Sequence, residues 1–255
     1  MAVPMISIDQ ITCSPAETQQ RIAANWQGVV AEVAEAARAS DRPVDAVRVV
    51  GVSKYVDTEL TQWLVDAGCH DLGENRPQVL CQKADGLVGP IRWHQIGHLQ
   101  RNKVRRLMSA RPMIHSIDSE RLLNEVIAEA TRQECKIDVL LEINVSAEEA
   151  KTGLPVEEAS GVLDRFLQQV ADAQTSPVRI VGLMAMAAWG KDLAVAQQQF
   201  AKVRELRDEL QASSGLALPE LSMGMSGDFP AAIAEGATLV RVGSKLFGGV
   251  LPPAH

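Results

Sequence analysis

The chain has 255 residues, 46% of them hydrophobic and 22% charged, a composition typical of a soluble globular protein with enough length for one sizeable core. Its net charge of -7 argues against nucleic acid or an anionic membrane as a main partner, and no apolar run approaches the ~20 residues that span a bilayer. The N-terminus, MAVPMISIDQITCSP, lacks the basic and apolar regions of a signal peptide, and Cys13, Cys69, Cys81 and Cys135 form no CxxC, so neither disulfides nor zinc is expected and a cytoplasmic location is.

The first predicted element is a helix from Pro15 to Ala39. Ser14 and Pro15 start it, and Ile22, Trp26, Val29, Val30 and Val33 share one face; coming before any strand, it is expected to cover an end of the fold. Val47–Lys54 (VRVVGVSK) reads as a buried strand ending on a lysine, followed by an amphipathic stretch over Thr58–Ala67. A short strand over His70–Asn75 precedes a helix starting at Pro77. Ile91–Gly97 is strand-like, with a basic helix over Gln100–Met108 after it. Met113–Asp118 is the next strand, and Ser119 caps a helix reaching Gln133.

The second half repeats the alternation. Strands are predicted at Ile137–Val145, Val178–Met186, Leu218–Met225 and Thr238–Gly243. Between them lie helices over Pro155–Asp172, around Phe200 to Leu210, and over Phe229–Glu235, and Lys245–Leu251 closes the chain. Strict alternation of eight strands with helices predicts a single-domain α/β protein over residues 1–255, a (β/α)8 TIM barrel with an extra N-terminal helix. No GxGxxG follows the first strand, which argues against an open dinucleotide-binding sheet.

Barrels build their sites from the C-terminal ends of strands and the loops that follow. Those ends carry Lys54; Glu74 and Asn75; His94 and His98; Ser116 and Asp118; Asn144; Met184 and Met186; Ser222 to Ser226; and Arg241 to Ser244. A lysine half-desolvated at such a mouth can lose its proton and attack a carbonyl; the alternative is a lysine merely snorkelling off a strand end. The Gly/Ser turns Met223–Gly227 and Val242–Ser244 follow the seventh and eighth strands, where barrels often hold a phosphate on backbone N–H groups. Arg241 interrupts an apolar strand and needs an acceptor: either a carboxylate such as Glu142 or a ligand lone pair such as a ring nitrogen. His94 and His98 lie on a strand and its exit, so hydrogen bonding suits them better than a shared metal. The Arg101, Lys103, Arg105, Arg106 cluster reads as a solvated helix face rather than an RNA patch.

An amine for an aldehyde, a phosphate site and a donor to a ring nitrogen are together the requirements of pyridoxal 5'-phosphate. The segments GVSKYVD (51–57), GENRPQ (73–78), WHQIGHLQRNKV (93–104), HSIDS (115–119), GLMAM (182–186), LSMGMSGDFPAAIAEGAT (221–238) and VRVGSKLFG (240–248) resemble, in order, those of the single-domain pyridoxal phosphate homeostasis proteins. That family is similar to the barrel domain of alanine racemase. The resemblance implies that Lys54 holds the cofactor as a Schiff base, and that Ser226, Gly243 and Ser244 hold its phosphate. It also implies that Arg241 faces the pyridine nitrogen and that Asn75 and Met223 line the ring pocket. Pro77, Ser244 and Lys245 depart from the family pattern, but a serine keeps the hydroxyl donor at 244.

The implied function is cofactor homeostasis, a carrier or buffer without a robust reaction of its own. Racemisation needs acid–base groups on both faces of the substrate carbon. No second domain is expected after the eighth strand, and the single tyrosine, Tyr55, adjoins the lysine. The rival readings are an amino-acid racemase and a Schiff-base aldolase acting on a phosphosugar. The protein is expected to be a monomer, with a weak dimer as the alternative.

Overall fold

Short Val-rich runs ending in Gly, Ser or Asn alternate with amphipathic stretches, and the chain resolves this pattern as one parallel sheet wrapped by helices. The computed structural model describes residues 5–7, 10–11, 13–145, 152–173, 176–188 and 192–251. Its barrel strands are β1 (Arg48–Val52), β2 (Asp71–Glu74), β3 (Arg92–Gln95), β4 (Met113–Ile117), β5 (Ile137–Asn144), β6 (Val178–Ala185), β7 (Glu220–Met225) and β8 (Leu239–Val242). Each pairs in parallel with the next, and β8 pairs with β1, which closes the barrel. A two-residue strand, Leu154–Pro155, adds to β5 outside the ring.

The helices are α1 (Pro15–Ala39), α2 (Thr58–Asp66), α3 (Pro77–Gly86), α4 (Arg101–Leu107), α5 (Glu120–Arg132), α6 (Ala159–Ala173), α7 (Leu193–Ser214) and α8 (Phe229–Ala234). Strand and helix bounds match the expected ones to within a few residues, save that α6 starts at Ala159 after a 3-10 turn over Val156–Glu158 and that α7 begins at Leu193, seven residues before Phe200. Sequence-level caps explain several starts. Ser14 and Glu17 form a reciprocal capping box, Asp57 accepts from Leu60 N, and Ser119 accepts from Leu122 N.

The N-terminal helix departs from expectation. It packs along α2 and α8 on the barrel wall instead of covering an end. Segment 245–251 forms turns, so no helix follows β8 among the described residues, and α1 fills that place in the outer ring. Asn25 of α1 donates to the Leu246 and Gly248 carbonyls and so ties down the turns. Its buried face is Ile22, Val29, Val33 and Ala37, while Val30 is 42% exposed at the rim.

Two apolar layers result. The larger lies between strands and helices and includes Leu60, Leu64, Val104, Phe200 and Phe229. The smaller, Val50, Leu140, Met184 and Leu239, fills part of the lumen. The rest of the lumen is polar, with His94, His115, Ser222 and Arg241 all buried. Between β5 and β6 the register slips, Val139 pairing with Ile180 and Leu140 with Gly182. At Gly182 an added Cβ would lie 1.8 Å from the Glu220 carbonyl oxygen on β7. Gly182→Ala is therefore expected to force β6 and β7 apart at a cost of about 3 kcal/mol or more, read by urea unfolding; a loss under 1 kcal/mol would show that the strands yield easily.

Candidate functional site

The closing pair of strands assembles the site. Gly51 of β1 stands opposite Val242 of β8, so the residues just beyond, Val52 and Gly243, leave side by side. An added Cβ at Gly243 would sit 3.2 Å from Val52 Cβ, which leaves no room there for a side chain without displacement. Lys54 follows two residues after Val52, half-buried in a turn, with Nζ 4.8 Å from the centroid of the Tyr55 ring. Ser226, in the turn after β7, accepts the Gly243 N–H on Oγ at 3.3 Å and ties the two Gly/Ser turns together. Gly224 (φ 91°) lets the first turn lie on α8, since a Cβ there would be 2.7 Å from Ala232 Cβ. Ser244 is exposed beside this junction, and the space around Gly227 is open.

Arg241 is 5% exposed and faces the lumen. It donates from one terminal nitrogen to the Ser222 carbonyl (2.7 Å) and hydroxyl (2.6 Å), and from the other to the Ala185 carbonyl (2.9 Å). These acceptors are neutral, so the expected alternative of an ion pair with Glu142 is not the arrangement found. Burial pushes the guanidinium down to about 10, against the pull of Asp228 and Glu142, so it remains a cation at neutral pH. Burial, with Asp118 adding to it, raises the Glu142 carboxyl above its usual range; Thr152 donates to its Oε1 at 2.7 Å, and Oε2 has no partner. Asn75 follows β2. Gln95 donates to the Asn75 and Gly97 carbonyls, leaving Asn75 Oδ1 and Gln95 Oε1 buried and unpaired.

Lys54, Ser226, Gly243, Ser244, Arg241 and Asn75 thus stand at C-terminal strand ends or, for Arg241, one layer below. Met223 does not join them. Ser222 points into the lumen, so the pleat turns its neighbour Met223 outward, where it is fully buried in the strand–helix layer. His94 is also displaced from the expected mouth: it bonds Asp71, the first residue of β2, and His115, while His98 at the exit bonds Asp118. The two histidines serve different partners.

One cluster was not foreseen as a unit. Lys83 of α3 is 1% exposed; it reaches Glu74 Oε1 and donates to the Ser53 carbonyl at 2.9 Å, while Ser53 Oγ donates to the same carboxylate oxygen at 2.8 Å. Burial lowers the lysine, opposed by Glu74. This knot fixes the backbone next to both Lys54 and Asn75. Its trace in the sequence is a lysine on the same helical face as Val79 and Leu80, at spacings of four and three.

The donor set fits pyridoxal phosphate. An amine, a buried guanidinium and two hydroxyls gather at one mouth. The buried unpaired oxygens of Asn75, Gln95 and Glu142 leave polar groups for a ligand to meet.

Comparisons with known proteins show what the chain is similar to. The family model for the alanine racemase N-terminal domain matches residues 18–250. The pyridoxal phosphate homeostasis protein of Aquifex aeolicus is 38% identical over 221 residues, spanning 86% of this chain and 94% of that protein. The structure of PipY from Synechococcus elongatus with PLP bound superposes with a TM-score of 0.76 at 32% identity, covering 89% of this chain and 100% of PipY. Alanine racemase from Streptomyces coelicolor shares the fold at 19% identity, with a TM-score of 0.67 over 90% of this chain and 58% of the racemase.

Removing Lys83 leaves a buried carboxylate without its cation. Lys83→Met is expected to cost about 3–5 kcal/mol in denaturant unfolding, and adding Glu74→Leu should recover much of that loss. A single variant as stable as the parent would mean that the pair contributes nothing.

Proposed function

The chain belongs to the family of pyridoxal phosphate homeostasis proteins, and from that premise we propose that it binds pyridoxal 5'-phosphate at the C-terminal mouth of its barrel. It holds the cofactor as a carrier or buffer, within one cofactor-binding domain, without a robust catalytic reaction of its own. The observation that carries this reading is the β1–β8 register, which brings the strand end leading to Lys54 beside Gly243, itself tied to Ser226, with Arg241 opposite Val50 in the strands below. When bound, the cofactor supplies an aldehyde and an electron-withdrawing pyridine ring.

Each residue then has a task. Lys54 offers the amine, and the knot of Lys83, Glu74 and Ser53 holds the backbone from which it extends. Ser226, Ser244 and the backbone of Gly243 hold the phosphate. Arg241 has no acceptor atom and stays charged at neutral pH, so at the ring nitrogen it donates and keeps that nitrogen unprotonated. Asn75 lies beside the ring. An unprotonated nitrogen makes the ring a poor electron sink, which supports storage over chemistry. Tyr55 follows Lys54 directly and its ring lies against that lysine, which does not supply an acid on the opposite face of a substrate.

The same reading takes the protein as a cytoplasmic monomer that engages neither nucleic acid nor membrane. The four cysteines are free, and no helix among the described residues is long and apolar enough to cross a membrane.

Borohydride reduction of the loaded protein, followed by peptide mass analysis, should place the adduct on Lys54; an adduct mainly on Lys245 or Lys103 would overturn the assignment. Pyridoxal without its phosphate forgoes several charge-assisted hydrogen bonds worth about 1.5–3 kcal/mol each, and should bind more weakly by on the order of 1,000-fold or more. Equal affinities would remove the phosphate role from the Gly/Ser turns. With alanine in heavy water, exchange of the α-hydrogen should stay far below about 1 s⁻¹, the low end of ordinary turnover. Steady exchange at that rate would make the protein a racemase.

A further inference from the structure

Five buried groups run in single file through the lumen. Arg241 donates to Ser222 Oγ at 2.6 Å, and Ser222 Oγ lies 2.8 Å from His115 Nδ1. His115 Nε2 lies 2.9 Å from His94 Nδ1, and His94 Nε2 lies 2.9 Å from Asp71 Oδ1. The end groups fix the sense of everything between them, because a guanidinium only donates and a carboxylate only accepts. Ser222 receives an N–H from Arg241 and has one proton to give, to His115 Nδ1. His115 then carries its own proton on Nε2 and gives it to His94 Nδ1. His94 likewise carries a proton on Nε2 and gives it to Asp71. With one proton on each ring, every donor in the file meets an acceptor.

We propose that this file is a polarised hydrogen-bond wire, and that His115 and His94, acting through Ser222, are positioning residues that hold Arg241 at the ring nitrogen of the bound cofactor. The inference rests on the reading of Arg241 given above. In this arrangement the lone pairs of Ser222 and of both imidazoles all point back toward Arg241. They favour its charge in a place where water cannot, and the Ala185 carbonyl fixes the plane of the guanidinium. One extra proton would reverse the file. An imidazolium at position 94 would donate in both directions, His115 would turn its proton toward Ser222, and the serine hydroxyl would then face two donors. At His115 the surroundings oppose a second proton. His94 faces Asp71 on β2, which is already bound by Arg92 and approached by Arg48. His115 faces His94 on β3, Ser222 on β7 and Arg241 on β8. Burial, with His94, Arg241 and Arg48 adding to it, holds His115 well below the usual histidine range.

The wire can be read without cofactor. Long-range proton–nitrogen spectra of the apo protein, labelled with ¹⁵N at histidine, should show both rings neutral and protonated on Nε2 at pH 7. A ring protonated on Nδ1, or an imidazolium at either position, overturns the wire. Its effect on the cofactor is read by titrating the visible absorbance of the loaded protein against pH. Ser222→Ala, which removes little volume, should move the midpoint by about half a unit or more, and Arg241→Gln should move it further. If Arg241→Gln moves the midpoint and Ser222→Ala does not, the positioning role falls while the assignment of Arg241 stands. If neither moves it although the cofactor binds, Arg241 is not at the ring nitrogen, and both readings fall together.

Discussion

Strand β1 meets strand β8 in a register that puts Val50 beside Arg241 and Gly51 beside Val242, and this seam is the contact on which the site depends. Without it the sheet would have two open edges, and Lys54 would lie far from the turn at Gly243. Parallel strands of one barrel end on the same side, so closure gathers residues from both ends of the chain at a single mouth. The seam is held from outside as well. Helix α1 bridges α8 and α2, and Asn25 anchors the turns that follow β8.

The lumen near the seam is more polar than packing alone would call for. A barrel interior filled with branched aliphatic residues is the simpler solution, and Val50, Leu140, Met184 and Leu239 follow it. Above and beside them, Arg241, Ser222, His115 and His94 form a chain in which each polar atom is matched. Buried polar groups cost little when fully satisfied and a great deal when one partner is missing, so such a chain admits few alternative conformations. The Lys83–Glu74 pair follows the same logic one strand away. Its net contribution to stability is offset by desolvation, but it leaves the backbone beside Lys54 and Asn75 little freedom.

Placing α1 on the wall resolves a deficit in the ring. A (β/α)8 barrel needs a helix after every strand to cover its outward apolar face. Among the described residues the segment after β8 is turns, with Gly249 at φ 70°, and provides none. The first helix of the chain supplies the missing face, with Ile22, Val29 and Val33 turned inward.

Much of this was legible in the residues. Period-two and period-3.6 patterns marked all eight barrel strands and, but for the starts of α6 and α7, the helices, because local burial repeats at those periods whatever the tertiary context. The Gly/Ser turns, Lys54 and Arg241 stood out because their chemistry is unusual where it occurs. What no local pattern carries is direction across the barrel. Whether Met223 turns toward the ligand or the helices depends on the pleat, and the pleat is set by pairing with distant strands. That Arg241 meets Ser222 and Ala185 in place of Glu142, and that His94 reaches down to Asp71 and not up to the mouth, follow from register. Sequence determined the elements and the chemical inventory. Closure of the sheet alone decided which of those groups face one another, because hydrogen bonds of 2.6 to 2.9 Å form only between atoms that the register has already brought together.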